Sequence, residues 1–195
     1  MNLALNILIF TSILIWLFPP LRQYKQNYFW FFLFLALTDP FALIIGRSFG
    51  IQTTQTYLVF VLFYFFSILG YNKINLYKIV ASIVLILIGA FSFFNHEKYA
   101  EFYFILVTTL MLLIIAKNSF QFIVNSGYVN FFHIVLVFYM LTSILKFWNL
   151  HIQFDTGIVF FFVTGVFQIF VGLFFSVYRE NNPKLLLKIG DGKQG

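Results

Sequence analysis

Polar side chains are so sparse in this chain that they act as punctuation. Between them run seven apolar stretches, near residues 3–19, 28–46, 56–71, 77–95, 101–116, 128–146 and 156–178. A transmembrane helix needs roughly 17–25 mostly apolar residues, and several of these stretches reach that length. The pattern therefore predicts an all-α, polytopic membrane protein, a bundle of seven transmembrane helices with short loops. The first stretch closes at Pro19-Pro20, because proline cannot continue a helix interior. The third is short, about 24 Å at helical rise. It can extend through Gln55 or sit in a thinned bilayer, and six spans result if one short stretch is re-entrant.

The connecting segments, such as "LRQYKQN", "NHEKYA" and "KNSFQFIVNSG", leave no room for an independent domain. The expected organisation is a transmembrane domain over 1–178 and a short basic tail over 179–195. The amino terminus has no basic region and no small-residue cleavage site, so it reads as a retained first helix.

Charge gives the threading a direction. With seven spans, one side holds Arg22, Lys25, Lys73, Lys78, Lys117, Arg179, Lys184, Lys188 and Lys193, and the other holds Arg47, Lys98 and Lys146. Basic residues favour the cytoplasmic side, so the N-terminus is expected outside and the C-terminus in the cytoplasm. The acids sort the same way: Glu97, Glu101 and Asp155 balance the outer bases, while only Glu180 and Asp191 offset the inner ones. The formal net charge of +6 is then mostly topology and attraction to anionic lipid, and a nucleic-acid partner is not expected. The setting is a cell membrane, multi-pass, with a bacterial inner membrane as the expected one.

Composition adds limits. The chain is 62% hydrophobic and 9% charged, with 31 phenylalanines and no cysteine. Soluble domains carry roughly 25% charged residues. Without cysteine, thiol catalysis, cysteine metal sites and disulfides are excluded. Segments 2–3 and 6–7 share a loose pattern of aromatic helix, Leu-Thr pair, polar outer loop and second aromatic helix. A three-plus-one-plus-three arrangement, as in transporters built from parallel repeats, would make segment 4 the linker. The Pro-Gln pair of such seven-helix sugar carriers is missing here, and any two Phe-rich spans align about as well.

Candidate chemistry concentrates in "FLALTDPFALIIG". A charge at mid-bilayer costs about 2.5–3.5 kcal/mol and normally faces the bundle interior. Asp39 is expected roughly 16 Å deep, near the midplane, with the Thr38 hydroxyl at its level. Pro40 frees a backbone carbonyl at Ala36, which predicts a kinked helix. Asp39 then reads as a protonatable or cation-binding carboxylate, as a structural acid pinning a neighbouring helix, or as a surface residue if the boundary is misplaced. His133, roughly 8 Å into segment 6, is a possible partner or a packed interfacial residue, and Arg47 reads as a headgroup anchor. In segment 7, Gly165, Gln168 and Gly172 share a face, a pattern of close helix packing across which Gln168 can hydrogen-bond. At the outer rim, His96, Glu97, Glu101, His151 and Asp155 make a solvated cluster. His151 and Asp155 are its weak metal candidates, at a spacing that matches no metalloenzyme motif. Catalytic signatures are absent and no cofactor is implied.

These readings favour a non-enzymatic sensing, scaffolding or accessory module. It would act with membrane lipids and a protein partner or a second copy, in the layout of many bacterial sensor domains that feed a cytoplasmic effector. The alternative is a small carrier or channel for a solute, proton or lipid working through Asp39. A third is an intramembrane lipid-modifying enzyme that uses the outer rim.

Overall fold

Apolar runs whose backbone cannot hydrogen-bond to lipid must satisfy it internally, and the helix does this within one segment. The structure, a computed structural model, describes residues 3–69, 76–95, 97–152 and 157–189. Its helices are α1 (Leu3–Trp16), α2 (Phe18–Arg22), α3 (Phe29–Phe49), α4 (Thr53–Leu69), α5 (Leu76–Phe94), α6 (Glu97–Ser126), α7 (Phe131–Ile152) and α8 (Gly157–Val177). Two short strands, β1 (Tyr128–Asn130) and β2 (Leu186–Lys188), pair antiparallel with Val129 opposite Leu187.

Among the described residues four helices are long and apolar enough to cross a membrane, over Phe29–Phe49, Lys98–Ser126, Phe131–Ile152 and Val159–Val177. Shorter apolar helices cover Asn6–Arg22, Thr53–Leu69 and Lys78–Phe94. Large apolar side chains such as Phe10, Leu14, Ile44, Leu87, Leu113 and Phe170 face outward, while Thr38, Thr108, Ser143 and Thr164 are buried. In a soluble protein that distribution would be reversed. These features mark an all-α membrane protein.

Helix α6 packs on α4 and α7, α3 on α4, and α1 on α8, while α5 leans on α6 and α4. Hydrogen bonds show which ends meet. Arg22 Nε donates to the Val177 carbonyl (3.0 Å) and Gln23 Nε2 to that of Tyr178 (2.7 Å), so α2 and the end of α8 share one end of the bundle. At the opposite end Gln55 Nε2 donates to Phe93 O (3.1 Å), and His151 Nδ1 lies 3.3 Å from Glu101 Oε2.

Three boundaries depart from the expected ones, each for a local reason. The proline pair does not simply stop a helix: Pro19 and Pro20 occupy the first turn of α2, where the missing N–H costs nothing. The stretch "KNSFQFIVNS", expected in a loop, continues α6 to Ser126, since nothing breaks it before Gly127. That glycine has φ +72°, and its N–H closes on Ile123 O (2.9 Å), a left-handed cap that glycine adopts without a Cβ penalty. Helix α7 runs on to Ile152, six residues past the expected end, and carries Lys146 inside it. Pro40 does not break α3, which is continuous from Phe29 to Phe49.

The small-residue face of α8 lies against α1. A Cβ on Gly165 would meet Leu8 Cδ2 at 2.7 Å, and one on Gly172 would meet Ile15 Cγ2 at 2.9 Å and the Trp16 ring at 3.3 Å. A leucine tip can swing aside; a β-branched side chain and a packed indole give less readily. Gly172→Ala is therefore expected to lower stability in detergent by about 1–3 kcal/mol, as overpacking does, and Gly165→Ala by less. Thermal unfolding of the two variants checks the order, and equal midpoints would refute it.

Candidate functional site

The bundle holds a partly open cavity of about 420 Å³ lined by α1, α3, α4, α6, α7 and α8 but not α5. At one end stand Thr53 and Thr54 from the start of α4. At the other, Trp16, Phe31, Tyr64 and Tyr139 form an aromatic floor, with Trp16 and Tyr139 ring centres 4.9 Å apart. Beneath the floor Phe32, Phe132 and Phe175, all fully buried, interlock, with Phe32–Phe175 at 4.7 Å and Phe132–Phe175 at 4.9 Å.

Asp39 is in the cavity wall, halfway along α3. Tyr57 of α4 donates its hydroxyl to Asp39 Oδ1 at 2.6 Å; among the described residues nothing donates to the other oxygen. Thr38 shares a short hydrogen bond with Tyr64 and also reaches back to Phe34 O (2.8 Å). That back-bond uses the Thr hydroxyl within its own helix, so Thr38 and Asp39 each tie α3 to a different tyrosine of α4.

The same cavity receives Lys146 from α7. Helical spacing places Tyr139, Ser143 and Lys146 on one face, and all three line the cavity. A lysine side chain leans toward the N-terminal end of its helix. Its ammonium rests 4.3 Å from the centre of the Phe161 ring of α8, a cation–π contact that holds it inward instead of letting it snorkel to the rim. Asp39 and Lys146 line the same cavity, yet no direct ion pair joins them. The expected end of segment 6 at Lys146 thus moves: the residue lies inside α7 and is part of the cavity wall. Its signal was the 139/143/146 spacing, hidden because the polar run "KFWNLH" looked like a loop.

Gln168 also lines this cavity, as does Gly165; the side chain of Gln168 makes no hydrogen bond across a helix contact. The buried Thr108 of α6 lines it too, and its hydroxyl has no partner. Sequence reasoning missed Tyr57, Tyr64, Tyr139 and Thr108, since one hydroxyl in a greasy run reads as ordinary core.

His133 does not meet Asp39. Its Nε2 lies 3.5 Å from Glu180 Oε1, at the aromatic-plug end, and neither ring nitrogen meets hydrogen-bond geometry. The rings of Tyr28 and Phe122 flank it at 5.9 Å. Glu180 is the centre of a second polar cluster. Its carboxylate accepts from Asn27 N (3.3 Å) and Nδ2 (3.1 Å), its N–H donates to Gln23 Oε1 (3.3 Å), and its carbonyl accepts from Asn130 Nδ2 (3.1 Å). The start of the tail is therefore fastened to the bundle, with Gln23 fully buried beneath it.

At the end of the bundle opposite α2, His151 pairs with Glu101 of α6 at 3.3 Å, and Arg47 is exposed at the end of α3. His96 and Asp155 lie outside the described residues. Among the described residues no group of three metal-ligating side chains comes together.

Comparison of the chain with models of protein families, with curated proteins and with solved structures finds no match.

Proposed function

We propose that this chain is a non-enzymatic membrane module of seven spans that binds a small molecule inside its bundle and acts with a partner chain. The observation that carries this reading is the cavity: about 420 Å³, within the range of small-molecule sites, and apolar with a few convergent polar groups. Seven spans follow if the shorter apolar helices also cross, each about 25 Å at helical rise against a core of about 30 Å. The clustering of Arg22, Arg179 and Lys184 beside the tail supports an outside N-terminus and a cytoplasmic C-terminus. On that orientation the cavity reaches toward the outer face, and the phenylalanine plug lies on the cytoplasmic side. A floor closed by interlocked rings favours binding over conduction.

The carrier reading draws its support from Asp39, midway along a proline-containing helix. Reconstitution separates the two. A binding module is expected to gain thermal stability from small amphipathic molecules, about 2.7 kcal/mol at a hundredfold excess over Kd, with no flux of them into proteoliposomes. Ser143→Leu, which fills the cavity, is expected to abolish that gain. Flux that Asp39→Asn removes would establish the carrier instead, and stabilisation unaffected by Ser143→Leu would place the ligand elsewhere.

A further inference from the structure

Net charge is what a low-dielectric cavity tolerates least: two opposite charges nearly cancel, whereas one left over faces the full desolvation penalty. The wall here carries one carboxylate, Asp39, and one ammonium, Lys146. They belong to different helices, and no ion pair joins them. Each is held in place by a third residue, Asp39 by the Tyr57 hydroxyl (2.6 Å) and Lys146 by the face of Phe161 (4.3 Å). Neither contact uses up its charge. Among the described residues one Asp39 oxygen takes no hydrogen bond, and a cation–π contact leaves the ammonium protons able to donate.

A mono-anion entering this cavity would leave it with a net negative charge, and a mono-cation with a net positive one. A molecule bearing both charges leaves it neutral, with its cation on Asp39 and its anion on Lys146. The floor of Trp16, Phe31 and Tyr139 suits an apolar body below those two ends. Resting on the reading that the cavity is a binding site, we propose that it selects a small zwitterion with an apolar or aromatic body, of the amino-acid type, bridging Asp39 and Lys146.

Four probes share a phenyl body and differ in charge: L-phenylalanine (zwitterion), phenethylamine (cation), 3-phenylpropionate (anion) and 2-phenylethanol (neutral). Trp16 is buried at the floor, whereas Trp30 and Trp148, the other two tryptophans, are exposed. The variant Trp30→Phe/Trp148→Phe of the full-length protein in detergent therefore reports on the cavity by fluorescence. L-Phenylalanine is expected to change Trp16 emission with at least about tenfold higher affinity than either singly charged probe, a difference of about 1.4 kcal/mol. Asp39→Asn is expected to turn the preference toward 3-phenylpropionate, and Lys146→Gln toward phenethylamine. The double variant is expected to keep 2-phenylethanol and lose the zwitterion. Should a single variant fail to fold, the order of the four probes on the parent still decides. Binding of the neutral or a singly charged probe as tight as that of the zwitterion would overturn this inference and leave a binding cavity standing. Silence of Trp16 toward all four would overturn both.

Discussion

Replacing Glu180 by alanine is expected to unfasten the C-terminal segment and to lower stability by about 1.5–3 kcal/mol, the loss of charge-assisted hydrogen bonds to a buried carboxylate. The carboxylate answers two donors of Asn27 and faces His133, and the residue is only 6% exposed, so water cannot replace it cheaply. Limited trypsin digestion in detergent reads the release, since Arg179, Lys184 and Lys188 flank or follow the contact. Cleavage there is expected to speed up in Glu180→Ala, and Glu180→Gln, which keeps an acceptor for Asn27, is expected to fall between. An unchanged digestion pattern in the alanine variant would show that β2 and the backbone contacts of Glu180 hold the segment without the carboxylate.

The second large effect concerns Asp39 and Lys146 as a unit. Lys146→Met leaves the Asp39 carboxylate without its counter-charge in the middle of a spanning helix, at a cost of about 2–4 kcal/mol by the insertion and ion-pair scales. Asp39→Asn is expected to cost a similar amount by stranding the ammonium. The double variant is expected to recover to within about 1 kcal/mol of the parent, because the residual polar groups carry no charge. Denaturation of the four proteins in one detergent gives the coupling energy directly. Additive losses would mean that the two residues stabilise the bundle independently, Asp39 through Tyr57 and Lys146 through Phe161.

Much of the helical layout was legible because the hydrophobic runs are long and the loops short. The boundaries failed where local chemistry overrode a simple rule. Pro19 and Pro20 suggest a stop, although proline also suits a first turn, and the polar residues Lys117, Asn118 and Gln121 suggest a loop, although nothing among them prevents a helix. Asp39 was legible by contrast with its neighbours, but its surroundings were not. Tyr57 and Tyr64 come from a helix that pairs with α3, and Lys146 from one distant in sequence, and such juxtapositions exist only after packing. The same holds for His133 and Glu180, 47 positions apart in the chain (180 − 133). Gly165 and Gly172 show their spacing in the sequence, while the partner they face, α1, is visible only in the fold.

The unbroken course of α6 has a mechanical consequence. Its 30 residues make a rod about 45 Å long. The half nearer its start carries Phe104, Thr108 and Met111, all in the cavity wall, and its far end joins β1 through Gly127 with no intervening loop. Because an α-helix resists bending, a tilt of about 5° over that length displaces the far end by about 4 Å, nearly the spacing between neighbouring strands. Were a change in what fills the cavity to tilt α6 about its start, Thr108, about 16 Å along the rod, would shift by about 1.4 Å, and the strand pair that anchors the carboxyl-terminal segment nearly three times as far.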